Sequence, residues 1–187
     1  MKKSVIFTLA SFIIISLASF TAATKLGSNK THIKFFSSTP AEDIESNNYK
    51  AVSTIDPGSG EIVFSVPMQS FEFDKALMQK HFNNKEFLDT KSHPKAKLTG
   101  KITNLDDVNF SKDGTYNVEI KGDLTIKGST KPFHEKGTIN VKGQKVEANS
   151  KFTVTLADYG VAFEKGKPAT NVAKSVEVTV FAEYQLQ

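Results

Sequence analysis

The residues able to do chemistry are few and poorly spaced for it. Four histidines, His32, His81, His93 and His134, lie far apart, and none belongs to an HExxH helix or a spaced ligand cluster. Asp106 and Asp107 are adjacent, so on a strand they would point to opposite faces and could not share a proton. Asp158-Tyr159-Gly160 follows a long strand pattern and suits a strand end or a pocket mouth. Gly58-Ser59-Gly60 comes after Pro57 and reads as a turn, not as the nucleophile elbow of a hydrolase. The chain has no cysteine, which excludes a thiol nucleophile, a disulfide and a zinc–thiolate site. It has no phosphate-cradling loop and no dinucleotide fingerprint. No enzyme, metal or cofactor is therefore implied, and binding is the chemistry left to explain. His81 is the one histidine placed where it could face a pocket.

The elements that would build such a pocket are strands. Tyr116, Val118, Ile120, Gly122, Leu124 and Ile126 share one parity, and Asn117, Glu119, Lys121, Asp123, Thr125 and Lys127 hold the other. That is a period of two, the signature of a half-buried strand. Similar alternation runs from Val146 to Leu156, from Val176 to Leu186 and from Ala96 to Ile102, and more weakly from Ile62 to Val66. Ile33 and Phe35 open the first strand, Ala51 to Ile55 form the second, and Phe133 to Val141 partner the long run at 116–126. Turn signals separate them: DPGSG, KDG, KGST, KGQK and EKGKP. Eight such strands, apolar on one face only, predict an all-β, eight-stranded antiparallel barrel of lipocalin-like form. Residues 73–94 break the rhythm with helical spacing. Asp74 is the expected N-cap, and a short helical insert over residues 74–88 is expected at one mouth of the barrel.

The inward parity is apolar but unusually small, with Gly100, Gly122, Gly137, Ala148, Ser150 and Ala182 on it. Glycines there either let strands bend and approach closely or leave interior volume free. Taken together they favour a barrel that holds a ligand over one packed with its own side chains. The expected wall is Phe35, Phe64, Val66, Leu98, Ile102, Ile120, Gly122, Leu124, Phe152, Val154 and Tyr184, with Leu77, Met78 and Phe82 from the helix. Few inward positions are charged, so the expected partner is a long apolar chain. The competing expectation is an envelope stress or interaction module with a packed barrel and no bound lipid.

The ends and the charge bear on location. Residues 1–23 read as a signal peptide: Lys2 and Lys3, an apolar run from Val5 to Phe20, then small residues with cleavage expected near Ala23. The apolar run is short for a spanning helix, which needs about 20 residues. The barrel domain is then 24–187, exported to the periplasm or the medium. All 24 basic residues are lysines, and loss of Lys2 and Lys3 leaves 22 against 20 acids, a net charge of +2. Those lysines alternate with Glu, Asp and Thr, which is a solvated face and not a nucleic-acid footprint. Whether the barrel forms a homodimer is left open.

Three segments, FDKALMQKHFNNKEFLDTKSHPKAKLTGKI, GDLTIKGSTKPF and FTVTLADYGV, resemble the YceI family of polyisoprenoid-binding periplasmic proteins with a lipocalin-like barrel. Asp74, Phe87, Leu88, Pro94, Gly122, Leu124, Thr125, Gly128, Thr130, Lys131, Asp158 and Gly160 fall on the family's pattern. Phe73 and Ala157 stand where many members carry Arg, and His93 stands where Tyr is usual. The resemblance implies a barrel whose pore holds an isoprenoid chain, such as a quinone or polyprenyl lipid, and no catalysis.

Overall fold

The period-two runs become long antiparallel strands. In the computed structural model, residues 25–161, 163–164, 167–168 and 172–186 are described. The expected signal peptide lies outside the described residues. In chain order the elements are β1 (Leu26–Ser38), β2 (Asp43–Asn48), β3 (Val52–Ile55), β4 (Glu61–Pro67), β5 (Phe71–Glu72), α1 (Ala76–Asn83), β6 (Lys95–Ile102), β7 (Gly114–Ile126), β8 (Ser129–Lys142), β9 (Lys145–Thr155), β10 (Phe163–Glu164), β11 (Lys167–Pro168) and β12 (Ser175–Gln185). Neighbours follow the order β12-β9-β8-β7-β6-β4-β3-β1, and β12 pairs back onto β1. Eight antiparallel strands thus close into a barrel, which removes the free sheet edges. β2 and β5 are appended along the second half of β1.

Local chemistry sets the corners. Asp56 accepts hydrogen bonds from the backbone N–H of Gly58 (2.9 Å) and Ser59 (3.1 Å), closing the turn between β3 and β4. Those backbone bonds, Ser59's above all, hold its carboxyl below the usual carboxylate range. Lys127 and Gly128, both at positive φ (48° and 76°), join β7 to β8 in a two-residue turn of the kind whose twist matches that of its strands. On the solvent face, Lys145 reaches Glu147 (2.7 Å) and Glu183 (2.8 Å) across β9 and β12. Such exposed pairs solubilise the wall more than they stabilise it.

Gly100 and Gly122 face each other across β6 and β7. A Cβ on Gly122 would run into Thr99 O and Gly100 Cα, and one on Gly100 would sit 2.9 Å from Lys121 O. Here the two strands approach too closely for any side chain, which lets the sheet coil tightly enough to close.

The register makes the two ends unequal. Leu26 pairs with Ile55, Val141 with Val146, and Val146 with Tyr184. These residues, together with Ile102, are buried and fill one end of the barrel. This end is the floor. At the other end the chain between β4 and β6 supplies β5 and α1. Helix α1 begins one residue later than expected, with Lys75 as N-cap and no side-chain capping bond, so Asp74 does not cap it. The helix ends at Asn83, and a turn over 85–88 completes the insert.

Candidate functional site

Between the filled floor and α1 the barrel holds a cavity of about 570 Å³ that opens at the α1 end. That lies within the roughly 300–1,000 Å³ typical of small-molecule sites. The interior is therefore not packed solid by its own side chains. Phe64, Val66, Leu98, Ile102, Ile120 and Leu124 line it from β4, β6 and β7. Phe35, Phe152, Val154 and Tyr184 line it from β1, β9 and β12, and Met78 and Phe82 from α1.

Two expected wall residues lie elsewhere. Leu77 points to solvent and is 63% exposed, because an eight-residue helix buries one stripe and Leu77 is off it. Gly122 is not on the cavity wall; it marks the β6–β7 crossing and leaves no room for a ligand.

Residues not singled out as wall also contribute. Ile33, Val176, Val178 and Val180 share the inward parity of their strands and line the cavity. So do Phe71, Phe73 and Phe87 around α1. Phe82 lies at the centre of this aromatic group. It stacks on Phe35 (5.7 Å between centroids, 11° between planes) and meets Phe73 at 4.9 Å, Phe71 at 5.4 Å and Phe87 at 6.2 Å. Aromatic rings at such distances attract beyond the area they bury. The alternation Phe71-Glu72-Phe73 was a readable signal for two of them.

The depth of the cavity is apolar and already satisfied. Tyr184 Oη and Ser53 Oγ are 2.7 Å apart at the floor. Burial pushes the Tyr184 hydroxyl pKa up to about 12, against the opposing effect of that bond. Among the described residues, no buried side-chain nitrogen or oxygen lacks a hydrogen-bond partner. A polar group carried past the few polar wall residues, Ser37, Thr138 and Ser150, would meet apolar side chains, and leaving it unpaired costs of the order of 1–3 kcal/mol.

Polar groups appear at the α1 end. Glu42, His81, Asn84 and Glu86 border the cavity there. Lys75 Nζ lies 2.9 Å from Glu42 Oε1 and ties the start of α1 to the hairpin between β1 and β2. The other histidines are dispersed: His32 stacks on Tyr49 (4.6 Å) and lies 2.8 Å from Asn47 Oδ1, while His134 borders an outer groove. Among the described residues, no group of three His, Asp or Glu is placed to hold a metal ion. Among them, too, no helix is long and apolar enough to cross a membrane.

Solved structures share this architecture. A polyisoprenoid-binding domain from Saccharophagus degradans superposes with a TM-score of 0.72 over 87% of this chain and 98% of that one, at 12% identity. BcnA from Burkholderia cenocepacia gives 0.67 at 17% identity, covering 82% of this chain and 95% of its own. The YceI protein of Campylobacter jejuni gives 0.57 at 15% identity, covering 100% of this chain and 99% of its own. At such identities the likeness shows the fold. A UPF0312 protein of Pseudomonas putida is 28% identical over 130 residues, 66% of this chain. The chain spans 62% of the length of that relative. The model of the YceI-like domain matches residues 17–184, which include every barrel strand save the last residue of β12, and the chain belongs to that family.

Proposed function

We propose that the protein is an exported carrier or holder of a long apolar lipid of the isoprenoid or quinone type, with the chain in the barrel and the polar end at α1. The observation that carries this reading is a barrel cavity whose wall is built almost wholly of apolar and aromatic side chains. Hydrocarbon is the content such a space accepts without loss. Each five-carbon isoprene unit contributes about 3 kcal/mol gross on burial, before the cost of association. The filled floor leaves the polar end one place to sit, the rim formed by His81, Asn84 and Glu86. The Saccharophagus domain, described as polyisoprenoid-binding, supports the isoprenoid choice. The leader at 1–23 supports export to the periplasm or the medium. The role in this reading is binding, which membership of the YceI-like family and the polyisoprenoid-binding description of the Saccharophagus domain support.

The test is extraction of purified protein followed by mass spectrometry of the organic phase. The expected result is a near-stoichiometric long-chain isoprenoid lipid. Protein that is lipid-free as purified and takes up no isoprenoid from detergent would overturn the reading.

A further inference from the structure

We infer that the bound chain enters and leaves sideways, through a seam between β8 and β9, and not along the barrel axis; this rests on the lipid-binding reading above. The β8–β9 ladder runs from Lys142↔Lys145 to Gly137↔Ser150 and stops there. Beyond it, residues 129–136 of β8 pair with β7, and residues 151–155 of β9 pair with β12. The barrel wall is therefore split over half the length of β8. The strands part at a tight point. A Cβ on Gly137 would sit 2.6 Å from Asn149 O, and Ser150 Oγ donates to Lys136 O at 2.7 Å. The far end of the seam is tied by Lys127 Nζ, which donates to Gly160 O at 3.0 Å.

Among the described residues, side chains and the turn at Leu156–Tyr159, which packs against β8, fill the gap without ladder bonds. Phe133 and Phe152 meet edge to face at 5.0 Å across it. A groove of about 140 Å³ lies on the outer side, bordered by Lys131, His134, Glu135, Thr153 and Asp158. Leu124, Phe133, Phe152, Val154 and Tyr159 border both that groove and the cavity. Among the described residues, one layer of side chains thus lies between the cavity and the groove. Opening it requires rotamer changes and breaks no rung of the sheet. Side-chain rotation is faster than the displacement of packed elements.

The axial exits ask for more. The floor is filled by Ile55, Ile102, Val141, Val146 and Tyr184. At the α1 end the Phe82-centred aromatic group holds the helix to the barrel. The cavity reaches the surface beside His81, Asn84 and Glu86, and a long chain threading lengthwise would have to pass that mouth against the aromatic group along its whole length. Through the seam it passes broadside, with its polar end still at the rim.

The absence of cysteine allows a clean test. His134→Cys with Thr153→Cys, joined by a short bismaleimide, bridges the seam on its outer side. Glu42→Cys with Lys75→Cys, joined in the same way, bridges the α1 end. Each protein is loaded with deuterated geranylgeraniol, and its replacement by unlabelled geranylgeraniol is followed by native mass spectrometry. The seam bridge is expected to slow exchange about tenfold or more, as a blocked gate does, and the α1 bridge to slow it less. Phe152→Ala, independent of any bridge, is expected to speed exchange severalfold. An α1 bridge that slows exchange as much as the seam bridge or more, or a Phe152→Ala protein that exchanges no faster than wild type, overturns the inference. Equilibrium occupancy separates this from the underlying reading: wild-type protein that never holds the probe refutes lipid binding itself, whereas full occupancy with exchange indifferent to the seam refutes only the route.

Discussion

The barrel wall is interrupted twice, and the two interruptions are mended with opposite chemistry. On one side β1 pairs with β3 over only two residues before turning to β2. That gap is laced by polar bonds. Asn48 Nδ2 donates to Pro67 O (2.8 Å), Ser46 Oγ to Glu72 O (2.7 Å) and Ser53 N to Ser28 Oγ (2.9 Å). Asn48 and Ser46 are 0% exposed. On the other side the β8–β9 seam is filled chiefly by the Phe133–Phe152 pair. Buried hydrogen bonds are directional, and breaking one leaves an unsatisfied group. Apolar contacts are non-directional, and a rotated ring can find another contact. The first mend makes a fixed wall, and the second makes a wall that can open.

Four substitutions break or sharpen this contrast. The largest effect is expected where the wall has no slack at all. Gly122→Ala forces a Cβ into the backbone of β6 and should lose about 3 kcal/mol or fail to fold, as overpacking at a rigid contact does. Denaturant titration with soluble yield checks it. A stable Ala variant would show that the β6–β7 crossing yields.

Next comes the polar mend. Asn48→Ala removes the donor to Pro67 O and the acceptor for Lys50 N, leaving a part-buried carbonyl and an N–H unpaired. A loss of about 2–3 kcal/mol is expected, with no gain in lipid exchange rate. Faster exchange in this variant would place an opening on the wrong side of the barrel.

Phe152→Ala at the apolar mend should be milder in chemical denaturation, about 1–2 kcal/mol, because the ring borders a cavity and is only half-buried. Its signature is the dissociation between modest stability loss and fast exchange. If it costs more stability than Asn48→Ala, the apolar seam is the stiffer of the two.

The smallest effect is expected at the floor, where Tyr184 ties β12 to β3. Tyr184→Phe leaves Ser53 Oγ without its partner and should cost about 1 kcal/mol at neutral pH. The alkaline behaviour is sharper. The hydroxyl's folded pKa, pushed up to about 12, lies above the ordinary value of 10.0. The neutral form is therefore favoured by folding. Its contribution is complete below pH 10 and is lost as pH rises toward 12. Wild-type stability should fall through that window more steeply than that of Tyr184→Phe, by thermal melts across pH. Parallel slopes would mean that the ring is hydrated in the folded state.

Much of this molecule is legible in its residue order, and the failures have physical causes. The eight barrel strands follow from alternation because each buries one face. β2 was not read, because its inward residues are Ile44, Ser46 and Asn48, and two polar side chains in three erase the pattern. Twelve of the fourteen expected wall positions border the cavity. Gly122 does not, because parity gives the face a residue is on and not how near the next strand lies. Leu77 does not, because Leu77 with His81 and Met78 with Phe82 are both i, i+4 pairs, and a helix this short can bury either stripe.

By itself the order of residues determined a one-faced, antiparallel, closing sheet with an oily inside, since side-chain direction on a strand alternates whatever surrounds it. Only the tertiary structure decided where that inside stays empty, which end is filled, and where the β8–β9 ladder stops. Those depend on distances between strands far apart in the chain, and no local pattern encodes them. The same Phe-x-Val alternation that builds a continuous wall elsewhere meets no ladder partner between Phe133 and Phe152, and that missing pairing is what makes a seam of them.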